Sequence, residues 1–479
     1  MFVVTLDLHA AQAYPGNLVT ISQPKAPRAK LAASALAAAL TAWLVGALTL
    51  AGFALTVLLL FPGYLTNDAT YVYSYIVRWS LGDWQSPLMT ILWWLIDPIS
   101  PGPGSMFLLI VTLYWLGFGV IALAVARRSA ALALVVPLLG LTPPAFFLLS
   151  MLWRDILFSG VWLCAAAILY WAAGHARAVR AMMQVLAVIL IGLGILLRPN
   201  AIVAAPFLLV YALWPTRFEW KRTALLFVPV VIAGYGLVHV VYYEVLHVKR
   251  ENPLHSLLVF DLGGITYFTQ ENQFPVRWNA GETALLMTTQ CYQPQHWDSY
   301  WTLDPCKFVM ARLERPDDII FGSQRLVDAW IRAVAAHPLA YLEHRLTVLW
   351  TFLAAPNMTL ELYKSPEETS LAHNRFFPAL LPLHDALKSG VLFRAGFWLA
   401  LSVAIFAWAL PARGTASGTF AVCVTGAGIF YVLTFGLLGV ATDFRYAHWE
   451  VVAALAGIVP ALLARAEMRV QARGLLKAA

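Results

Sequence analysis

Residues 31–60, LAASALAAALTAWLVGALTLAGFALTVLLL, form a run of 30 residues without a charged side chain. A helix needs about 20 apolar residues to cross the hydrocarbon core of a bilayer, so this run predicts a spanning helix. It is too long for the apolar core of a cleavable signal peptide, and residues 1–24 are neutral and show no signal-peptide pattern. We therefore expect a short cytoplasmic tail followed by a membrane anchor.

Similar runs recur along the whole chain of 479 residues, of which 61% are hydrophobic and 12% charged, with a mean hydropathy of +0.72. Soluble proteins carry about 25% charged residues, so a soluble enzyme, a disordered scaffold, a coiled coil and a disulfide-rich secreted domain are excluded. The runs lack the polar alternation of barrel strands, so they predict an all-α polytopic membrane protein with about ten spans, within a range of eight to twelve. The expected spans are 31–60, 107–126, 131–150, 157–173, 181–197, 200–214, 223–247, 391–410, 417–440 and 449–464.

The charges predict the orientation of these spans. With a cytoplasmic N-terminus, the inside segments carry 15 Lys and Arg residues and only three acidic residues. The long outside segment 248–390 carries 12 Lys and Arg residues and 15 acidic residues. This is the asymmetry of the positive-inside rule. The net charge of +7 thus reports orientation and predicts no nucleic-acid partner. We expect a multi-pass protein of the bacterial cytoplasmic (inner) membrane, with both termini cytoplasmic.

The expected organisation has five parts. The third part, the extracytoplasmic domain 248–390, includes segment 338–356, which is apolar enough to enter the bilayer. The parts are a cytoplasmic tail 1–30, a seven-span module 31–247 with a first outer loop 61–106, a mainly helical extracytoplasmic domain 248–390, C-terminal spans 391–464, and a cytoplasmic tail 465–479.

The first outer loop carries two helix-start signals. Thr66 or Asn67 can cap a helix that runs to about Ser80, and Ser86 followed by Pro87 opens a second helix to about residue 96. The second helix has one apolar stripe and adjacent tryptophans that suit a membrane interface. We expect both helices to lie flat on the outer membrane surface.

Ionisable residues at the outer membrane surface are costly and usually functional, so the chemistry should be sought there. Five clusters converge on that surface and offer carboxylates to accept a proton and guanidinium groups to hold a phosphate. They are TNDATYVY (66–73) with Asp68, GDWQSPL (82–88) with Asp83, MLWRDILF (151–158) with Arg154 and Asp155, LLRPN (196–200) with Arg198, and TDFRYAHW (442–449) with Asp443, Arg445 and His448.

Each of these residues also has a structural interpretation. Asp68 and Asp83 can act as helix caps, and Arg154 with Asp155 can form an ion pair at the mouth of a span. Arg198 and Arg445 can extend toward lipid headgroups. The convergence of the five clusters on one face, and no single residue, favours a site.

The order of parts resembles the GT-C superfamily of integral-membrane glycosyltransferases, which includes protein O-mannosyltransferases and the lipid A aminoarabinose transferase. TNDATYVYSYI (66–76) and DWQSPLMTILWWL (83–95) are similar to the family's first-loop elements, although Gln85 and Ser86 replace the usual His or Lys and Pro. WRDILF (153–158) resembles the second-loop acidic motif. LLRPN, DFRY (443–446), HSLLVFDLGGI (255–265) and HPLAYLEHR (337–345) resemble elements of bacterial members.

The resemblance implies transfer of a hexose or pentose from a polyprenyl-phosphate donor to an acceptor hydroxyl at the outer face, with inversion. The carboxylate beside the acceptor takes its proton, and fixed Arg groups stabilise the leaving phosphate. The expected roles are Asp68 as general base, Arg154, Arg198 and Arg445 at the phosphate, Asp83, Trp84, Gln85, Asp155, Asp443 and Tyr446 as supporting residues, and Tyr267, Trp278, Trp297 and Trp301 on the acceptor side. The acceptor is a glycan, a lipid or a protein, and membrane lipids surround the site.

Two other functions stay open at this stage. A transporter normally shows paired halves and broken helices at the bilayer midplane, and neither is seen in the sequence. An O-antigen ligase or polymerase also uses lipid-linked glycans from outside, but it would not be expected to carry its key Asp in such a first loop.

The sequence indicates no organic cofactor, and no His and Cys cluster has zinc spacing. Binding of a divalent cation by Asp68 or Asp155 stays an open alternative, and no ligand motif supports it. Of the four cysteines, Cys164 and Cys423 fall within spans. Cys291 and Cys306 lie in the outer segment, where they predict a disulfide. Closing the loop between them would stabilise the folded state by roughly 3 kcal/mol.

Overall fold

The computed structural model describes residues 28–356 and 374–478, so most of the predicted tail 1–30 and residues 357–373 of the outer segment lie outside them. The described residues are almost entirely helical, and their extended pairings are three isolated bridges, which confirms the all-α class. The α-helices are α1 (Arg28–Leu60), α2 (Asn67–Arg78), α3 (Pro87–Ile96), α4 (Pro103–Ala126), α5 (Ala130–Leu139), α6 (Pro143–Leu148), α7 (Arg154–Ala172), α8 (Arg177–Leu197), α9 (Ala205–Leu213), α10 (Trp220–His239), α11 (Leu254–Thr269), α12 (Ala280–Leu286), α13 (Phe308–Leu313), α14 (Gln324–Ala336), α15 (Pro338–Ala354), α16 (Leu381–Leu387), α17 (Ala395–Ala409), α18 (Ala416–Leu433), α19 (Phe435–Leu438) and α20 (His448–Ala478).

Eight helical segments of the described chain are long and apolar enough to cross a membrane. This number lies at the lower limit of the predicted range, and it makes the chain a multi-pass membrane protein. Helix α15, in the segment 338–356 expected to be apolar enough to enter the bilayer, has 17 residues and is not among the eight. The segments are Ala35–Leu60, Pro103–Ala126, Arg154–Ala172, Arg177–Leu197, Trp220–Val245, Ala395–Ala412, Ala416–Leu438 and Phe444–Gln471.

Two of the ten predicted spans are not continuous helices. Segment 131–150 breaks into α5 and α6, because Pro143 and Pro144 have no N–H group with which to continue the helix. Segment 200–214 begins as a 3-10 turn at Pro199–Val203, and the nine-residue α9 follows it. Both segments still carry the chain from one end of the helical bundle to the other.

The two ends of the bundle differ in charge. At one end, Arg127 donates to the carbonyl of Trp171, and Arg128 forms an ion pair with Glu467. Arg180, another of the cations predicted to be cytoplasmic, donates at this end to the carbonyl of His175, beside Arg127. The opposite end, called the loop end below, carries the loop 61–106, the start of α7, the end of α8 and the loop before α20.

The two helices of the first loop begin at the predicted residues. The hydroxyl of Thr66 accepts the N–H of Ala69 to cap α2, and that of Ser86 accepts the N–H of Met89 to cap α3. The expected apolar stripe of α3 consists of Leu88, Ile91, Leu92 and Leu95. The buried face instead includes Met89 and Trp93, one position away from it. The leucine side is therefore the more exposed face of this helix.

Helices α11 to α15 enclose a second apolar core, separate from that of the spans. Cys291 and Cys306, both buried in this core, form a disulfide. Cys164 and Cys423 are free and buried.

Candidate active site

A small pocket opens at the loop end, where the starts of α2 and α7 meet the 3-10 turn Phe444–Ala447. Its volume is about 260 Å³ including the mouth. Four of the five predicted clusters contribute to it directly, and LLRPN (196–200) does not. The lining residues are Asp68, Val72, Gln85, Met89, Leu152, Trp153, Arg154, Asp155, Arg445 and Tyr446.

Asp68 lies in the first turn of α2 with its side chain 40% exposed. Its Oδ2 accepts from Arg445 Nη1 over 2.5 Å, and its Oδ1 accepts from Gln85 Nε2 over 3.2 Å. Burial by itself raises the pKa of Asp68, but the neighbouring guanidinium groups, Arg445 first, outweigh it and hold the pKa below its ordinary value. Asp68 is therefore ionised at neutral pH. Because Thr66 caps α2, the helix does not need Asp68 as its cap.

Arg445 is the pocket's link to the C-terminal half of the chain. Its Nε lies 3.3 Å from Asp443 Oδ2, and the other Asp443 oxygen accepts the backbone N–H of Arg445. The guanidinium group lies over the ring of Trp153, 4.5 Å from its centroid, and beside the ring of Tyr446. These contacts fix the plane of the guanidinium group, so its orientation toward Asp68 is set before any ligand binds.

Arg154 is the least satisfied cation of the pocket. Within the described chain its hydrogen bond goes to the carbonyl of Trp84, over 3.2 Å, and no carboxylate oxygen lies within 4.0 Å of it. The Arg154–Asp155 ion pair, the alternative structural interpretation of these residues, is therefore absent from the described contacts. A guanidinium group has five N–H donors, so most of the capacity of Arg154 is left for a ligand.

Asp155 pairs with Arg198 instead. Arg198 Nε lies 2.8 Å from Asp155 Oδ1, and both side chains are at least nine-tenths buried. Arg198 also donates to the hydroxyl of Tyr431 and lies over the ring of Tyr446. Arg198 is not part of the pocket lining, and its contacts hold α7, α8 and α18 together behind Arg445.

Asp83 lies outside the pocket lining and connects the first loop to the segment after α10. Its oxygens accept from the hydroxyl of Tyr243 over 2.8 Å and from the backbone N–H of Glu251 over 2.6 Å. The Glu251 carboxylate in turn accepts from the hydroxyl of Tyr75 and the N–H of Trp84. A Cβ at Gly82 would lie 2.3 Å from a Glu251 oxygen, so a larger residue there would displace the Glu251 carboxylate. No sequence motif indicated the role of Glu251.

We expect Glu251→Ala to lower the free energy of unfolding by about 1–3 kcal/mol, because the buried hydroxyl of Tyr75 and the N–H of Trp84 lose their acceptor. Denaturant unfolding in detergent micelles measures this change. Glu271→Ala is the matched control, because the Glu271 side chain is 69% exposed. Equal unfolding of the two variants would contradict the role given to Glu251.

The four residues predicted on the acceptor side fall into two groups. Tyr267 stacks on Tyr292, and Trp278 packs on Phe308 and donates to Asn272, so both are partly buried against the core of the outer segment. Trp297 and Trp301 lie against Trp84, whose carbonyl group accepts from Arg154.

The motifs HSLLVFDLGGI and HPLAYLEHR meet in a buried ionic cluster. Asp261, which is fully buried, forms an ion pair with Arg345 and lies 3.2 Å from His344 Nε2. Arg345 Nη1 also donates to the carbonyl of Gly439 over 2.7 Å, at the start of the loop that carries Arg445. This cluster therefore joins the outer segment to the site loop.

Among the described residues, no group of three or more His, Cys, Asp or Glu side chains is placed to hold a metal ion. Asp68 and Asp155 line the same pocket, but both are engaged with arginines.

No protein-family model and no curated protein sequence matches the chain. Among solved structures, the chain is similar to the crystal structure of ArnT from Cupriavidus metallidurans bound to undecaprenyl phosphate. The match has 15% sequence identity and a TM-score of 0.32, and it covers 83% of this chain and 77% of ArnT.

Proposed function

We propose that the chain is a membrane glycosyltransferase of the GT-C type, which moves a sugar from a polyprenyl-phosphate donor to an acceptor hydroxyl at the extracytoplasmic face. The observation that carries this proposal is a single pocket that joins the carboxylate of Asp68 to the guanidinium groups of Arg154 and Arg445. The motifs that resemble the superfamily contribute these residues. The cationic end of the bundle, opposite the pocket, supports its extracytoplasmic placement.

Arg154 and Arg445 are the proposed phosphate ligands. Arg154 has unused donors, and Arg445 is held in a fixed plane, so two planar forks can bind the oxygens of one phosphate. Arg198 is engaged by Asp155 and Tyr431, which makes it a positioning residue that holds Tyr446 beside Arg445. The set of arginines proposed to bind the phosphate, called the phosphate clamp below, is thus reduced from three residues to two.

Asp68 is the proposed general base, and Arg445 controls its availability. Arg445 now donates to Asp68, and a donor phosphate would compete for the same guanidinium group. When the phosphate accepts the Nη1 hydrogen of Arg445 in place of Asp68, one oxygen of Asp68 is released for the acceptor hydroxyl. Donor binding would thereby prepare the base, and Gln85 would keep the carboxylate in place.

The proposed reaction is a single displacement with inversion. The acceptor oxygen attacks the anomeric carbon while the bond from that carbon to the phosphate oxygen breaks. The acceptor proton goes to Asp68, and the bonding electrons leave on the polyprenyl phosphate. Negative charge grows on the phosphate as this bond breaks, so fixed guanidinium groups stabilise the transition state more than the ground state.

The proposal is tested by reconstituting the purified chain in proteoliposomes with polyprenyl-phosphate hexoses and pentoses and a bacterial envelope extract as the acceptor source. We expect one donor to be consumed, with release of polyprenyl phosphate and labelling of an envelope component. If no donor of the panel binds or is consumed, the proposal is wrong.

A further inference from the structure

Three tryptophans form an aromatic cluster beside the pocket. The rings of Trp297 and Trp301 are stacked, with centroids 5.2 Å apart and an angle of 23° between their planes. The ring of Trp84 lies 5.2 Å from that of Trp301 and 6.0 Å from that of Trp297. Trp301 is 40% exposed, whereas Trp297 is buried, so the stack offers one supported aromatic face at the surface.

The loop that carries two of these rings is held firmly. The disulfide joins its ends, and the hydroxyl of Ser299 donates to the carbonyl of Cys291 over 2.7 Å. We call residues 291–306 the disulfide loop. Because its conformation is fixed before a ligand arrives, little ordering is needed for the tryptophan face to bind one.

The disulfide loop is also hydrogen-bonded to residues 440–442, the segment that leads to Arg445. The N–H of Trp297 donates to the carbonyl of Val440 over 2.9 Å, and the N–H of Thr442 donates to the carbonyl of Gln295 over 2.8 Å. A bridge pairs residues 296 and 441 between them. The tryptophan cluster and the phosphate-binding Arg445 therefore belong to one connected unit.

Asp298 lies between Trp297 and Trp301 in the sequence, and charges of the pocket act on its carboxyl group. Its side chain is half-buried, and its carboxylate makes no hydrogen bond or ion pair with the described part of the chain. Burial raises the pKa of Asp298, and the negative charge of Asp68 adds to this effect, while His296 and Arg445 oppose it. The bridge between residues 296 and 441 holds this part of the disulfide loop beside the segment that leads to Arg445, so Asp298 belongs to the same connected unit as Arg445.

We infer that Trp301, supported by Trp297 and Trp84, binds the ring of an acceptor sugar, with Asp298 accepting hydrogen bonds from its hydroxyl groups. A sugar ring has an apolar C–H face that suits an exposed indole and a polar edge that suits a carboxylate. The acceptor class is therefore a glycan, free or on a lipid, and not a protein side chain. This inference rests on the proposed transfer activity and adds the acceptor class to it.

The test compares acceptors that differ only in the sugar ring. Octyl hexosides, octanol and a peptide library rich in serine and threonine are offered to the reconstituted chain with its donor. We expect transfer to octyl hexosides and none to octanol or the peptides. Transfer to octanol or the peptides at an equal rate would overturn the inference.

Variants of the disulfide loop localise the effect. We expect Trp301→Ala to raise the KM for the octyl hexoside about tenfold, Trp301→Phe to restore most of the affinity, and the Kd for polyprenyl phosphate to stay unchanged. Asp298→Asn should also raise this KM. Leu303→Ala is the matched control, because Leu303 is an exposed apolar residue of the same loop, and its variant should keep the normal KM.

The two proposals fail in different ways. If polyprenyl phosphate binds and the donor is consumed, but neither Trp301→Ala nor Asp298→Asn changes the KM for the acceptor, the acceptor site is wrong and the transferase survives. If polyprenyl phosphate does not bind to the unmodified chain, the proposed function itself is wrong. Should Trp301→Ala fail to fold, Trp301→Phe and Asp298→Asn still decide the first question.

Discussion

Asp68→Asn is expected to lower sugar transfer by at least about 10²-fold while the protein stays folded in the membrane. A general base contributes about this much by accepting the acceptor proton in the transition state, and an amide cannot accept it. The variant keeps the hydrogen-bonding shape of the side chain, and Thr66 continues to cap α2. Turnover of the purified variant, measured with saturating donor, tests this prediction.

The control for Asp68→Asn is Asp97→Asn in the same loop. Asp97 accepts from the hydroxyl of Tyr73 and the N–H of Gly102 but does not line the pocket. We expect this control to keep near-normal turnover. If Asp68→Asn also turns over at a near-normal rate, Asp68 is not the base.

Arg154→Lys and Arg445→Lys are each expected to lower donor affinity and turnover by about 10- to 100-fold. A hydrogen bond to a charged group contributes about 1.5–3 kcal/mol, and Lys cannot reproduce the planar fork of the guanidinium group. Binding of labelled polyprenyl phosphate and single-turnover transfer measure the two effects separately. Headgroup anchoring, the alternative role, would tolerate Lys at either position.

Two further variants complete this experiment. Arg394→Lys, at an exposed residue before α17, should leave donor affinity and turnover unchanged. Arg198→Lys should weaken the ion pair with Asp155 and so lower stability more than donor affinity. If Lys at both Arg154 and Arg445 preserves donor affinity and turnover, the phosphate clamp is wrong, and Asp155 and Asp443 become the better candidates for polar contacts.

Local signals predicted the first loop well. Thr66 and the Ser86–Pro87 pair mark helix starts through their own side chains, so the bounds of α2 and α3 follow from a few neighbouring residues. The meeting of Asp68, Arg154 and Arg445 followed from alternating spans, since topology alone puts their loops at one end of the bundle. Breaks in the third and sixth predicted spans were missed because one or two prolines change the mean hydropathy of a long apolar run only slightly.

Pairing between distant residues was beyond the sequence. Nothing in the chain around Arg198 indicates that its partner is Asp155 instead of a phosphate, and Glu251 stands outside every motif although it joins the first loop to the segment after α10. The aromatic residues of the outer segment show the same limit. Trp278 and Trp301 look alike in the sequence, and only packing separates a partly buried residue from an exposed one.

A cryo-EM structure of the chain with polyprenyl phosphate would show whether the pocket of Asp68, Arg154 and Arg445 binds the lipid-linked phosphate. We predict that phosphate oxygens lie about 2.7–2.9 Å from guanidinium nitrogens of both Arg154 and Arg445, with Asp68 released from Arg445. A phosphate bound at the cationic end of the bundle, or at the loop end without contact to either arginine, would contradict the account.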